Sequence, residues 1–187
     1  PSRGLGDVYK RQPLRIAVLG RVLFRHKGHD ILPSLAKALA NQHVDFEITV
    51  IGDGPDLPAL RAETAKSEPG RFRILGWVEH PLAQEILRNE TDLVVIPSRF
   101  EGTPLVLLEA LAAGLPFVMS NFEWLDDYGV QPEFRSEPEA DAFASKIAGL
   151  LDLPPNELAR RLVSMRDRFL AVHANSRTEE DVATVFQ

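Results

Sequence analysis

Residues 92–114 read DLVVIPSRFEGTPLVLLEALAAG. Within the predicted strand Asp92–Ile96, Leu93–Ile96 is a continuous apolar run rather than an alternation of apolar and polar residues, which predicts a strand covered on both faces. Leu105–Ala113 has helical composition, ends at Gly114, a good C′ residue, and meets Pro116 just beyond. Between them, Pro97–Pro104 carries the residues that turn a chain sharply. The segment therefore reads as one strand–loop–helix unit. The same unit recurs outward in both directions. Further strands are predicted at Arg15–Leu19 (RIAVL), Phe46–Ile51 (FEITVI), Arg71–Leu75 (RFRIL) and Pro116–Ser120 (PFVMS). After Asp30, read as an N-cap, Leu32, Leu35, Ala36 and Leu39 recur at i, i+3, i+4 and i+7, with Pro33 in the first turn. Shorter helices are predicted over Leu57–Lys66 and Pro81–Glu90. Strand and helix alternate five times, so the expected fold is α/β, a Rossmann-like, doubly wound parallel sheet with right-handed crossovers.

From Ala140 no further strand is expected. Phe143, Ile147, Leu150 and Leu151 make one apolar helical stripe, and Leu158, Leu162, Met165, Phe169 and Val172 make a longer one. Thr178 with Asp181 resembles a capping box opening a last short helix. Residues 1–13 carry no apolar periodicity and are expected to be a tail or scar, leaving 14–187 as one domain.

Composition narrows the function. The chain has 187 residues, a net charge of −6 and no cysteine, so a disulfide scaffold, a thiolate metal site and a cysteine nucleophile are excluded. The acidic balance argues against a nucleic-acid partner, which would need a basic face. His26, His29, His43, His80 and His173 lack metal-ligand spacing, so no metal is expected. No apolar run approaches the ~20 residues that span a bilayer, and a cytoplasmic location is expected.

In an open parallel sheet, ligands bind outside the carboxyl ends of the strands. The loops there are the unusual parts of this sequence. After the first strand, Gly20-Arg21-Val22-Leu23-Phe24-Arg25-His26-Lys27-Gly28 gathers three Arg or Lys side chains in an otherwise acidic chain. The second loop is Gly52-Asp53-Gly54-Pro55, where Asp53 is expected to fix the turn. The third is Gly76-Trp77-Val78. The fourth, Pro97–Pro104, is the most informative. Gly102 permits close backbone approach, Pro104 suits a helix start, and the N–H groups of Thr103 and Leu105 at the positive end of the helix make an anion site. Glu101 and Glu109, eight positions apart, bracket that site. Carboxylates accept hydrogen bonds from vicinal hydroxyls, and Arg21 and Lys27 match a diphosphate in charge. The combination suits a nucleotide sugar.

These segments, in this order and with Gly114-Leu115-Pro116 after them, resemble the C-terminal, donor-binding domain of retaining GT-B glycosyltransferases, the glycosyl transferases group 1 family. The resemblance runs from about Leu14 to Asn121. It implies half of a GT-B fold with C-terminal helices, and an enzyme that transfers a hexose-type sugar without a cofactor. It also implies roles. Arg21, Lys27 and Glu101 would form the catalytic group, with Arg21 and Lys27 on the donor diphosphate and Glu101 on sugar hydroxyls. Gly20 and the backbone of Gly102, Thr103, Pro104 and Leu105 would line the phosphates, Glu109 would bind the ribose, and Val78 would lie near the base. The partners implied are a nucleoside-diphosphate sugar and an acceptor sugar or lipid. The acceptor, and any membrane surface, would be met through an N-terminal domain that is absent here. One stretch departs from the family: Asn121-Phe122-Glu123-Trp124-Leu125-Asp126-Asp127 stands where a Gly-Gly loop and a downstream Glu are usual.

Two other classes fit the alternation alone. A dinucleotide-binding oxidoreductase domain would need a third glycine that Gly52-Asp53-Gly54 lacks, and the first loop offers only Gly20 before Arg21. A non-catalytic module of the same fold would have no reason to carry Arg21, Lys27, Glu101 and Glu109 together.

Overall fold

The computed structural model describes residues 12–102 and 105–173. A six-stranded sheet forms its centre: β1 (Leu14–Leu19), β2 (Phe46–Ile51), β3 (Phe72–Gly76), β4 (Leu93–Ile96), β5 (Phe117–Ser120) and β6 (Arg135–Ser136). Their spatial order is β3-β2-β1-β4-β5-β6, and every pairing is parallel. The continuous apolar runs have the cause expected of them. β4 and β5 are buried at every position, and β1 and β2 at most positions, because helices cover both faces of the sheet.

The helices are α1 (Phe24–Lys27), α2 (Leu32–Asn41), α3 (Leu57–Ser67), α4 (His80–Glu90), α5 (Leu105–Ala112), α6 (Ala140–Leu151) and α7 (Pro155–His173). α2 packs against α3 and α6, and α5 packs against α7. The sheet grows outward from β1 in one direction through β2 and β3, and in the other through β4, β5 and β6. The direction reverses between β1 and β4, so a crevice opens at their carboxyl ends.

Several sequence expectations need correction. The sixth strand was not predicted: Arg135–Ser136 is two residues long and has no apolar run to announce it, pairing Arg135 with Met119 and Ser136 with Ser120. Nor was α1, a single turn inside the first loop. Asp30 does not cap α2. It lies in a 3-10 turn, His29–Ile31, and Ile31 takes the N-cap position without a side-chain bond. The carboxylate is drawn away by a stronger partner, Arg99. Val172 leaves the long stripe, at 38% exposure, whereas Leu158, Leu162, Met165 and Phe169 are buried. The Thr178–Asp181 capping box and nearly all of the predicted tail lie outside the described residues.

Candidate functional site

The first loop is built between two others. On the β2 side, Gly20 N donates to Ile51 O at 3.0 Å and Val22 N to Asp53 O at 3.0 Å. The Asp56 carboxylate accepts from Phe24 N at 2.7 Å, supplying α1 with the cap its own sequence lacks. Gly52 allows this approach: a β-carbon there would stand 1.9 Å from the main-chain oxygen of Gly20. Asp53 holds the turn as expected, accepting from Gly54 N at 2.7 Å.

On the β4 side the contact is equally close. Gly28, at φ +67°, lies so near Pro97 that a β-carbon would come within 1.9 Å of the Pro97 oxygen. Arg99 N donates to His26 O at 2.8 Å. The Arg99 guanidinium grips Asp30 with two bonds of 2.7 Å and also donates to Phe24 O. Those bonds hold the Asp30 carboxyl below its ordinary value. Beneath the loop, His29 is almost wholly enclosed. Burial first, and then the charge of Lys27, lowers its pKa to about 4, so the ring is neutral at pH 7.

This bracing brings Lys27 and Glu101 together across 74 residues of sequence. The Lys27 ammonium is paired with Glu101 Oε1, and the buried Ser98 hydroxyl donates to the same oxygen at 2.8 Å. The Glu101 side chain is only 10% exposed, so its orientation is set by these two donors. The indole Nε1 of Trp124 donates to the main-chain oxygen of Glu101 at 3.2 Å. Trp124 is itself held in a file of rings. It stacks on Phe122 at 5.7 Å and meets Tyr128 edge-on at 5.7 Å, and Tyr128 stacks on Phe169 of α7 at 4.2 Å. The segment that departs from the family pattern thus props the Glu101–Gly102 backbone with aromatic side chains.

Glu109 sits on the second turn of α5, between the buried Leu108 and Ala110. Its side chain is 13% exposed, so it is not a solvated charge on a helix surface. Burial raises its pKa, and the nearby His80, with Nδ1 at 3.5 Å from Oε1, works against that rise. Among the described residues its nearest ion-pair partner is that imidazole, which leaves the carboxylate without a close charged partner there.

The other predicted residues fall as follows. Arg21 is exposed and makes no ion pair among the described residues, Gly20 lies against β2's loop, and Gly102 is exposed beside Glu101. Val78 is half-buried, next to Trp77, which is 70% exposed. Leu105 opens α5 at 59% exposure. Thr103 and Pro104 lie outside the described residues, and so does the geometry of their N-terminal anion site. Sequence reasoning gave no role to Asp30, Asp56, Ser98, Arg99 or Trp124 in holding the site: Asp30, Asp56, Arg99 and Trp124 act through long-range contacts with no local signature, whereas Ser98 lies only three residues before Glu101 and was passed over.

Comparison with known proteins places the chain. The sequence profile described as "Glycosyl transferases group 1" matches residues 13–153. The chain is 33% identical over 107 residues to 2-deoxystreptamine N-acetyl-D-glucosaminyltransferase of Niallia circulans, covering 57% of this chain and 27% of that protein. It is 31% identical over 160 residues to glycogen synthase of Mycobacterium tuberculosis, covering 83% and 38% respectively. The chain therefore spans about a quarter to two-fifths of the curated relatives it matches. Among solved structures, the catalytic domain of cholesterol-alpha-glucosyltransferase from Helicobacter pylori superposes with a TM-score of 0.70 at 23% identity, covering 86% of this chain and 99% of that one. A trehalose-6-phosphate protein from E. coli bound with UDP-2-fluoro glucose gives 0.72 at 19% identity, covering 98% and 46%. The profile match and the shared fold lead to one assignment: the chain belongs to the glycosyl transferases group 1 family and forms a C-terminal domain of the GT-B type.

Proposed function

We propose that this domain binds a nucleoside-diphosphate sugar in the crevice at the carboxyl ends of β1 and β4. It would be the donor half of a retaining glycosyltransferase that moves a hexose-type sugar to an acceptor. The observation that supports this reading is the contrast between two carboxylates of the segment that follows β4: Glu101 in the loop is held by Lys27 and Ser98, whereas Glu109 on α5 is buried with, among the described residues, the imidazole of His80 at 3.5 Å. Glu101 faces the hydroxyls of the donor sugar. Arg21 and Lys27 neutralise the diphosphate, Lys27 being released from Glu101 as the anion arrives. As the bond from the anomeric carbon to phosphate breaks, these cations stabilise the departing diphosphate. Glu109 receives the ribose hydroxyls, Val78 borders the base, and the backbone from Gly102 to Leu105 lies along the phosphates. One structural neighbour supports the donor class by its own description, a protein bound with UDP-2-fluoro glucose, and the N-acetyl-D-glucosaminyltransferase among the curated relatives supports sugar transfer.

The acceptor, a sugar or a lipid, is held by a separate N-terminal domain, and the reaction takes place between the two. Positioning of that kind lowers a barrier by several kcal/mol, so the domain alone binds donor but transfers no sugar. Calorimetric titration with UDP, GDP, ADP and NAD tests the proposal. One nucleoside diphosphate binds, more weakly as salt is added, because charge-assisted contacts carry much of the affinity. Preferential binding of NAD, or no binding by any of the four, would overturn it.

A further inference from the structure

Glu109 is approached by His80, the first of a file of three side chains on one face of α4. His80, Gln84 and Arg88 stand at i, i+4 and i+8, a spacing that stacks them along the helix. Arg88 donates to Gln84 Oε1 at 3.1 Å. An arginine can only donate, so this bond fixes which end of the Gln84 amide is oxygen, and the amide nitrogen must face His80. That nitrogen lies 2.8 Å from His80 Nε2. Nε2 therefore accepts, the ring proton sits on Nδ1, and Nδ1–H faces the Glu109 carboxylate. The separation there is 3.5 Å, too long for a good hydrogen bond. A hydroxyl oxygen about 2.8 Å from both atoms would complete a triangle on that base, donating to Glu109 and accepting from His80. The imidazole is 61% exposed, so a ligand reaches it without rearrangement.

We propose that His80, oriented by Gln84 and Arg88, reads a ribose hydroxyl of the donor nucleotide jointly with Glu109. The proposal rests on the reading of the crevice as a nucleotide site and adds to it a residue that selects ribonucleotides over deoxyribonucleotides. A carboxylate alone offers only acceptors. The added Nδ1–H rewards an oxygen at that position and leaves an unmet donor when the hydroxyl is absent. Gln84 is a positioning residue in this scheme, since it fixes the tautomer without touching the ligand.

The test is calorimetric titration of the domain with UDP, GDP and ADP, followed by the 2′-deoxy and 3′-deoxy forms of whichever binds. His80→Ala, His80→Asn and Gln84→Leu are compared with the parent protein. The parent prefers the ribonucleotide by about tenfold or more. In His80→Ala the preference over one deoxy form collapses, while affinity for that deoxy form does not fall. His80→Asn restores part of it, because the short amide supplies a donor near the place of Nδ1–H, and Gln84→Leu loses part of it. An unchanged ribo-to-deoxy ratio in His80→Ala, or equal weakening of both forms, would overturn the role of His80 while leaving the nucleotide site standing. No nucleotide binding by the parent protein would remove both.

Discussion

Replacing Gly28 with alanine would strike the joint between the loops that follow β1 and β4. The added β-carbon would stand 1.9 Å from the Pro97 oxygen and 2.9 Å from its carbonyl carbon, against an ordinary contact of 3.4 Å or more. The two backbones must separate by roughly 1 Å or more to relieve this, since the obstruction is main chain and cannot rotate away. Neither side moves freely. Gly28 N is bonded to Phe24 O at 3.1 Å, and Arg99 N, two residues beyond Pro97, to His26 O at 2.8 Å. A φ of +67° adds about 1–2 kcal/mol for any residue with a β-carbon. Together with an overpacking cost of about 1–3 kcal/mol, the loss of stability is about 2–5 kcal/mol. For a domain of this size that lowers the melting temperature by roughly 4–20 °C. Because Lys27 adjoins Gly28 and Glu101 follows Pro97 closely, nucleoside diphosphate affinity should fall more than tenfold. Thermal unfolding followed by circular dichroism, with calorimetric titration of the folded variant, reads both effects. A Gly28→Ala protein with parental melting temperature and parental affinity would refute the claim that these loops build the site by close approach.

The two glutamates should separate by ligand. Glu109→Ala weakens nucleoside diphosphate and nucleotide sugar alike by about tenfold or more, whereas Glu101→Ala weakens only the nucleotide sugar, as parallel titrations would report. Burial raises the Glu109 pKa above its ordinary 4.5, so its charge disfavours the fold at neutral pH; Glu109→Gln should raise the melting temperature at pH 7, and the gain should vanish as pH falls below about 4.5. Asp30 is the opposite case. Arg99 depresses its pKa below the ordinary 3.8, so the pair adds stability above that value and loses it as pH falls further, and Asp30→Asn should cost about 1 kcal/mol at pH 7 with the difference closing under acid. Trp124→Phe keeps the ring file but removes the N–H on the Glu101 carbonyl. It should weaken the nucleotide sugar several-fold with little change in melting temperature, and equal weakening of the free nucleoside diphosphate would contradict a role centred on Glu101.

The sheet was legible because its strands are local apolar runs. Phe46–Ile51 and Leu93–Ile96 identify themselves by composition, and the alternation with helices dictates the parallel topology. β6 was not legible, since Arg135–Ser136 is a strand only by virtue of its place beside Met119 and Ser120. The site divides along the same line. Lys27 and Glu101 stand out as charges beside glycines in strand-end loops, and Glu109 as a lone carboxylate on an otherwise apolar helix, α5. Their supports do not. Arg99 reaches Asp30 across 69 residues, and Trp124 reaches Glu101 across 23, so no spacing in the sequence records either contact. Asp30 shows the cost of local reasoning: its position suits a cap, but a bidentate guanidinium outcompetes the helix N–H groups for the same carboxylate.

The most direct test of the account is to map where a nucleoside diphosphate lands on the domain by amide chemical-shift changes in solution. The account predicts that shifts concentrate at Gly20–Gly28, Trp77–Val78, Glu101–Gly102 and the start of α5, with the edge at β6 unmoved. Shifts confined to the β6 edge or to the α5–α7 face, with the β1 and β4 loops silent, would contradict it.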